Sequence, residues 1–359
     1  MTRHHVAVIA GDGIGPEVIS EAARVLTAVG KLWRHSFELR EARIGGVAID
    51  RAGVPLPPDT LALCKSADAV LLGAVGGPRW GANAPVRPEQ GLLALRRALG
   101  VFANLRPAAM HPRLEGISPL KPEVVRGVDV LIVRELTGGI YFGEKRREAD
   151  WAEDFCTYSA DEIARVVRVA ARLAKSRRGR LTSVDKANVL ETSRLWREVA
   201  NRVVRDDFEG IELEHQLVDS CALRLIQRPA EFDVIVTENL FGDILTDLTA
   251  VLGGSIGMLP SASIGLGGPG LYEPVHGSAP DIAGKGVANP YGAIASVALL
   301  LRHSLRLEAE AAAVEAAISA ALESGALTPD IVEKGQRPST TSEVGAAVLR
   351  VLAERKEGR

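Results

Sequence analysis

The feature of this sequence that most constrains its fold is a regular alternation between short apolar runs and amphipathic stretches. The apolar runs have the length of strands, and the amphipathic stretches repeat their apolar residues with the period of a helix. Such alternation predicts an α/β fold with a mixed, largely covered sheet. The expected strands are Val6–Ile9, Ala69–Leu72, Val128–Val133, Leu181–Val184, Ile211–Val218 and Phe232–Val236, and the expected helices are Pro16–Val29, Ala160–Ser176, Thr192–Val204 and Ile244–Leu252.

Composition limits the environment and the partners of the chain. The formal net charge is -2, which argues against nucleic acid as a partner, and no apolar run approaches the roughly 18–20 residues of a membrane span. The three cysteines, Cys64, Cys156 and Cys221, share no metal-ligand spacing and are typical of a reducing compartment. The first strand begins without a basic and apolar leader. We therefore expect a cytoplasmic protein that binds neither nucleic acid nor membranes.

One segment, Gly138–Tyr158, breaks the alternation because it is polar and aromatic and has no helical period. A long structureless loop inside a compact domain is uncommon, so this segment is expected to form a protruding arm or an interface strand pair. A second unusual region, Gly253–Pro290, is rich in glycine, serine and proline. Its backbone can approach a ligand closely because glycine lacks a Cβ.

The glycine-rich motif Gly11–Pro16 (GDGIGP) follows the first strand and precedes a helix. It partly matches the dinucleotide-binding fingerprint G-x-G-x-x-G, but Pro16 occupies the position of the last glycine. Proline at the first position of a helix is also an ordinary helix start. A tight strand-to-helix turn is therefore favoured over a Rossmann fingerprint.

Two aspartates, Asp243 and Asp247, are four residues apart and share one face if their segment is a helix. Carboxylates that close repel each other, and a hard divalent cation such as Mg²⁺ would reverse the sign of their interaction. For an isolated pair, a solvated acidic helix face is the more common explanation. Here the pair follows an apolar strand, where ligands collect in α/β sheets, and Asp219 ends another strand as a candidate third ligand.

Four basic residues are candidates for binding and catalysis. Arg96, Arg106 and Arg134 lie on three separate segments, and arginine binds carboxylates at two points and stays charged. Each could equally be a surface residue or a salt-bridge partner. Lys186 follows a strand end, and a lysine near a metal and other cations can accept a proton near neutral pH. A surface lysine is the alternative.

The run Glu273–Gly284 is the most specific local signal because it combines glycine and proline with a histidine and an acid. It offers backbone donors, and His276 adds a flat ring for stacking. An acid such as Asp281 can accept hydrogen bonds from an adenosine ribose and repel a 2′-phosphate, which selects NAD over NADP. His276 could instead have a structural role, but the dense glycine and proline around it favour a ligand loop.

Taken together, these segments resemble the β-decarboxylating dehydrogenase family, which includes isocitrate and isopropylmalate dehydrogenases. The resemblance covers nearly the whole chain, and several of its strings are long and rare. It is carried by Gly11–Val18, Leu71–Pro78 with Trp80, Arg87–Arg96, Phe102–Pro107, Val128–Glu144, Ser183–Leu190, Thr237–Asp247 and Glu273–Pro290.

This resemblance implies an α/β fold of two domains that is not a Rossmann fold. Residues 1–105 with 252–359 are then the NAD-binding domain, and residues 106–251 are a central domain with a dimerisation arm at about 138–158. It also implies a homodimer with shared active sites, in which the neighbouring subunit supplies Asp219 and Lys186.

The resemblance further assigns a role to each candidate residue. Lys186 and Tyr141 are the catalytic base and acid, and the cofactors are NAD and Mg²⁺ or Mn²⁺. The substrate carboxylates are expected at Arg96, Arg106 and Arg134 with Asp219, and the metal at Asp219, Asp243 and Asp247. The cofactor contacts are expected within Gly77–Glu89 and Gly277–Asn289, at Gly77, Glu89, His276, Gly277, Ser278, Ala279, Asp281, Ile282 and Asn289.

Substrate choice is expected to depend on Glu89, Leu92, Leu93 and Val189. The apolar Leu92 and Leu93 suit an isopropyl group, whereas an isocitrate-type site needs a polar or cationic group there. The expected reaction is the NAD-dependent oxidative decarboxylation of 3-isopropylmalate in leucine biosynthesis. A sister dehydrogenase acting on isocitrate, tartrate, malate or homoisocitrate is one alternative. A non-catalytic metabolite-binding protein is another, although it should have lost Lys186, Tyr141 or an aspartate.

Overall fold

The computed structural model describes residues 3–81 and 84–357. The chain divides into two compact units, a terminal unit formed by residues 1–101 and 255–359 and a central unit formed by residues 102–254. Within the described ranges, no helix is both long enough and apolar enough to cross a membrane.

Strands and helices alternate along much of the chain. The strands are β1 Arg3–Gly11, β2 Ser36–Ala42, β3 Ala69–Ala74, β4 Ala103–Ala109, β5 Asp129–Glu135, β6 Lys145–Arg147, β7 Ala152–Asp154, β8 Arg180–Asp185, β9 Glu212–Leu217, β10 Val234–Thr237, β11 Pro260–Ile264 and β12 Gly270–Pro274. The helices are α1 Gly15–Trp33, α2 Gly46–Ala52, α3 Pro58–Ser66, α4 Pro88–Leu99, α5 Pro122–Val125, α6 Ala160–Lys175, α7 Glu191–Asp207, α8 Val218–Gln227, α9 Asn239–Leu248, α10 Tyr291–His303, α11 Glu308–Glu323 and α12 Thr341–Glu357.

The sheet of the terminal unit has the strand order β2-β1-β3-β12-β11. Strand β1 is parallel to β2 and β3, β12 is parallel to β3, and β11 is antiparallel to β12. Every residue of β3 is buried, as expected for a strand covered on both faces. The predicted α/β class with a mixed sheet is confirmed here.

The central unit has the order β4-β5-β10-β8-β9. Strand β4 is antiparallel to β5, and the remaining neighbours are parallel. The carboxyl ends of β5, β10 and β8 therefore meet at one edge of this sheet. Helices α6 and α7 pack against each other, and Trp196 of α7 is fully buried.

Two predicted boundaries in this unit were wrong. The helix expected at Ile244–Leu252 is α9, which begins at Asn239 because the Glu238 side chain caps it by accepting a hydrogen bond from the Phe241 amide. The strand expected at Ile211–Val218 ends at Leu217, and the chain turns directly into α8. Asp219 therefore lies in the first turn of a helix rather than at the end of a strand.

The segment Gly138–Tyr158 contains the two short strands β6 and β7, which pair antiparallel. This confirms the predicted strand pair, whereas its part in an interface stays a prediction. Most residues of the pair are exposed. The segment starts with a single tight turn, Gly139–Tyr141, which brings Tyr141 back toward α9.

Candidate active site

Polar side chains gather at the carboxyl edge of the central sheet. Strand β5 ends with Arg134 and Glu135, and β10 leads directly into α9. Ligands of α/β proteins collect at such an edge. In the antiparallel pairing of β4 with β5, Asn104 lies opposite Arg134 and Arg106 lies two residues further along β4. Because side chains alternate along a strand, the two arginines share one face.

Arg134 is the centre of the cluster and is almost completely buried. Its Nε and Nη2 donate to Asn239 Oδ1 at 3.1 and 2.8 Å, and its Nη1 binds Asp243 Oδ1. The Tyr141 hydroxyl donates to the other Asp243 oxygen at 2.5 Å. The guanidinium also lies over the Tyr141 ring, 5.6 Å from its centroid. Gly242 makes this possible, since a Cβ there would lie 2.5 Å from the Arg134 side chain.

Arg106 is held on the same face by neutral groups and by one carboxylate. Its Nε donates to Asn104 Oδ1 at 2.9 Å, and its Nη1 donates to Thr246 Oγ1 at 2.8 Å. The same Nη1 lies 3.5 Å from Asp247 Oδ1. The Asp247 side chain is 68% exposed, so most of this carboxylate can accept a further ligand.

The environment shifts the pKa values of Tyr141 and Asp243 in opposite directions. Burial, together with the hydrogen bond to Asp243 and its charge, raises the pKa of Tyr141 to about 12. Burial also acts to raise the pKa of Asp243, but the Arg134 charge and the Tyr141 hydrogen bond outweigh it, so this pKa lies below its usual value. At neutral pH the phenol is a proton donor and the carboxylate is an anion.

A buried network behind Arg134 fixes the start of α9 and the start of the segment Gly138–Tyr158. The Tyr158 hydroxyl shares its single hydrogen between Glu135 Oε2 at 3.4 Å and Glu238 Oε2 at 3.3 Å, and it accepts from the Asn239 amide at 3.0 Å. Asn239 in turn donates to the Gly138 carbonyl at 3.1 Å. Burial raises the pKa of both glutamates. None of these residues was predicted from the sequence to be functional, although Glu135, Gly138, Glu238 and Asn239 lie within strings that carry the family resemblance.

Lys186 and Asp219 form a separate pair. Lys186 directly follows β8, as predicted, and its Nζ lies 2.5 Å from Asp219 Oδ1. Its partner within this chain is therefore a carboxylate that was predicted from the sequence to be a metal ligand. In residues 3–81 and 84–357 no three histidine, cysteine, aspartate or glutamate side chains come together as a metal site. A single chain thus brings Asp243 and Asp247 onto one helix face without Asp219.

The remaining candidates lie in the terminal unit, except for Val189, which is 62% exposed just after Lys186. Helix α4 places Glu89, Leu92, Leu93 and Arg96 on one face by their spacing. Arg96 Nη2 donates to Glu273 Oε1 at 2.6 Å. Its Nε is buried and has no hydrogen-bond partner in the described part of the chain.

The predicted cofactor loop begins right after β12. His276 is buried, and its Nδ1 lies 2.9 Å from the Gly277 carbonyl. Its Nε2 is buried without a partner among the described residues, and burial lowers the pKa of this ring. Asp281 is exposed, and Asn289 is buried at the other end of the loop, where its amide donates to Asp330 at 2.9 Å. In the other predicted cofactor segment, 77–89, Ala82 and Asn83 lie outside the described residues.

Comparison with known proteins identifies the family. A family model described as isocitrate/isopropylmalate dehydrogenase matches residues 5–348. The chain belongs to this family, and the resemblance predicted from the sequence is confirmed.

Individual relatives show which members of the family this chain is similar to. The chain is 58% identical to a 3-isopropylmalate dehydrogenase of Anaeromyxobacter dehalogenans, over 91% of this chain and 94% of that one. It is 55% identical to a 3-isopropylmalate dehydrogenase of Geobacillus kaustophilus, over 96% and 94% of the two chains. Among solved structures, it resembles an isocitrate dehydrogenase of Methylococcus capsulatus, with a TM-score of 0.86, 33% identity and 97% and 99% coverage. It also resembles a β-decarboxylating dehydrogenase of Thermococcus kodakarensis, with a TM-score of 0.80, 39% identity and 99% and 97% coverage.

Proposed function

We propose that this protein oxidises and decarboxylates (2R,3S)-3-isopropylmalate to 4-methyl-2-oxopentanoate and CO₂ with reduction of NAD⁺, the third step of leucine biosynthesis. The observation that carries the substrate assignment is the face of α4. Leu92 and Leu93 are half-buried one turn before Arg96. Two apolar side chains therefore lie next to a cation that can bind a carboxylate. The names of the full-length relatives support the same substrate.

In the proposed site, the two substrate carboxylates are bound by Arg96, Arg106 and Arg134. Arg106 and Arg134 are held rigidly by amide and hydroxyl groups, so little rotamer freedom is lost when a ligand binds. Arg96 retains a buried Nε that can donate to a carboxylate. Its contact with Glu273 keeps the guanidinium in place before substrate arrives.

The donor set fits Mg²⁺ or Mn²⁺, which take oxygen ligands and leave several positions to water and substrate. Asp243 and Asp247 offer such oxygens on one helix face, and Asp219 would be added by the partner subunit. Bound there, the metal supplies Lewis acidity that lowers the pKa of the substrate hydroxyl.

Two side chains of this chain move the protons. Lys186 accepts the proton of the substrate hydroxyl. NAD⁺ held by the loop 277–289 would supply the acceptor for the hydride of the carbon that carries this hydroxyl. The β-carboxylate then leaves as CO₂, and its bonding electrons form an enolate. The enolate carbon takes a proton from Tyr141, whose raised pKa keeps the phenol protonated at neutral pH. Arg134, stacked on this ring, holds the phenol in place.

The cofactor contacts are proposed on the loop 277–289 and beside it. The free Nε2 of His276 can bond a nucleotide group, and exposed Asp281 can accept from the ribose hydroxyls and repel a 2′-phosphate. Gly77 and Glu89 provide the second contact segment. NAD is therefore favoured over NADP.

The complete site is proposed to require a homodimer in the cytoplasm. Helices α8 and α9 pack against each other and carry Leu223 and Ile244, which are 58% and 59% exposed. Contiguous exposed apolar patches mark interaction sites, and the position of these two side chains on helices that pack together supports such a patch. An interface at this patch would let Lys186 and Asp219 of one subunit join Asp243 and Asp247 of the other.

The test is a substrate panel. NADH formation is measured with 3-isopropylmalate and Mg²⁺ or Mn²⁺, and compared with isocitrate, tartrate, malate and homoisocitrate. We expect the highest kcat/KM with 3-isopropylmalate. A higher value with any rival would overturn the substrate assignment and leave the proposed chemistry intact, whereas NAD and substrate binding without turnover would revive a non-catalytic role.

A further inference from the structure

The turn Gly11–Pro16 lies directly against the start of the proposed cofactor loop. The Ile14 amide donates to the Ser278 carbonyl at 2.8 Å. Gly13 packs so closely that a Cβ there would lie 1.9 Å from the same carbonyl oxygen. Its φ of 57° is also a left-handed conformation that favours glycine. The turn therefore holds the loop by backbone contact at Ser278.

The next acidic residue, Glu17, reaches the far side of the same loop. Its Oε1 accepts from the Gly284 amide at 2.5 Å, and its Oε2 accepts from the Gly286 amide at 2.9 Å. Hydrogen bonds from backbone amides to an ionised carboxylate are stronger than those between neutral groups. Both carboxylate oxygens are used, so the side chain is fixed between two points of the loop.

The segment between these two attachments has an unfavourable backbone. Ala279 has a φ of 37°, in the left-handed region that residues with a Cβ rarely adopt. Such a conformation persists only where the surrounding structure over-determines it. Asp281, proposed to bind the adenosine ribose, and Ile282, another predicted cofactor contact, lie within this segment.

We propose that Glu17 is a positioning residue for the cofactor, and that Gly11–Glu17 serves as a clasp on the NAD loop rather than as a phosphate cradle. This inference rests on the proposed function. A loop ordered before binding loses less entropy when the ligand arrives, and affinity falls with the fraction of chains in the competent conformation. Glu17 touches neither reacting atoms nor cofactor in this arrangement; it acts through the amides of Gly284 and Gly286.

The first test compares wild type, Glu17→Gln and a matched control, Glu323→Gln, which removes the same charge from an exposed position on α11. We expect Glu17→Gln to raise the KM for NAD⁺ and the Kd for NADH about tenfold. The kcat at saturating NAD⁺ and the KM for 3-isopropylmalate should change less than about twofold. The Thr341 amide still holds the Gly286 carbonyl at 2.9 Å, so the loop should stay folded. Glu323→Gln should match wild type.

The second test needs no variant. Hydrogen exchange of wild type without cofactor should show the Gly284 and Gly286 amides protected, and exchange at intrinsic rates would overturn the clasp. An unchanged KM for NAD⁺ in Glu17→Gln, or a fall in kcat equal to that in kcat/KM, would also overturn it. These failures are distinct from failure of the proposed function, in which wild type itself would neither bind NADH nor oxidise 3-isopropylmalate.

Discussion

Tyr141 donates a hydrogen bond to Asp243 Oδ2 at 2.5 Å, while Arg134 binds the other oxygen of the same carboxylate. One aspartate therefore joins the proposed proton donor to the proposed metal site. The arginine can keep Asp243 in place when the phenol is removed, which makes the role of Tyr141 separately testable.

Tyr141→Phe should lower kcat by about 10²- to 10⁴-fold, the usual contribution of a positioned acid. The KM for 3-isopropylmalate should change less than about threefold, because the arginines proposed to bind it remain. Steady-state kinetics measure both values. Since the pKa of Tyr141 is raised to about 12, wild-type kcat should show no loss from its ionisation at neutral or mildly alkaline pH. A phenylalanine variant with wild-type turnover would exclude this acid.

Arg106→Lys should raise the KM for 3-isopropylmalate at least about tenfold, since an ammonium cannot reproduce the two-point contact of a guanidinium. The contacts with Asn104 and Thr246 would also be lost in part. The matched control is Arg126→Lys in the same unit, where the side chain is 67% exposed and bound to Glu115. Equal KM values for both variants would remove Arg106 from the substrate site.

Glu238→Gln should alter how stability depends on pH. Burial raises the pKa of Glu238 in the folded state above its usual value of 4.5. The contribution of this side chain to folding stability is therefore fully present below pH 4.5 and is lost as the pH rises through the folded-state pKa. Glutamine stays neutral and can still accept from the Phe241 amide. Thermal unfolding at mildly acidic and neutral pH should show the variant gaining roughly 2–4 °C in Tm relative to wild type at the higher pH. A parallel pH dependence for the two proteins would contradict this.

The sequence predicted those features that depend on local spacing. The alternation of apolar runs indicated the α/β class, and the Asp243/Asp247 spacing indicated one helix face. It could not indicate the Tyr158 network, because Glu135, Tyr158 and Glu238 are far apart along the chain and meet only through packing. Strand β4 was missed because its arginine and proline break the apolar pattern, although register with β5 places Arg106 beside Arg134.

Asp243→Asn should collapse turnover and weaken the dependence on metal. The amide keeps the size of the carboxylate but loses the charge that attracts a divalent cation, and it also loses the ion pair with Arg134. Activity titrated with Mg²⁺ or Mn²⁺ should show a higher half-saturating metal concentration and a kcat lower by at least about 10²-fold. The control is Asp161→Asn, an exposed residue in the first turn of α6. Unchanged activity of Asp243→Asn at low metal would refute the ligand role.

Asp281→Lys should shift the cofactor preference toward NADP. The exposed carboxylate is proposed to accept from the ribose hydroxyls, and a lysine would lose those bonds and attract a 2′-phosphate instead. The ratio of kcat/KM with NAD⁺ to that with NADP⁺ should fall at least about tenfold. Because the clasp formed by Glu17 lies outside this contact, Glu17→Gln should weaken both cofactors alike. An Asp281→Lys variant whose ratio equals that of wild type would show that this acid does not read the ribose, and the selection of NAD would then rest on other residues of the loop.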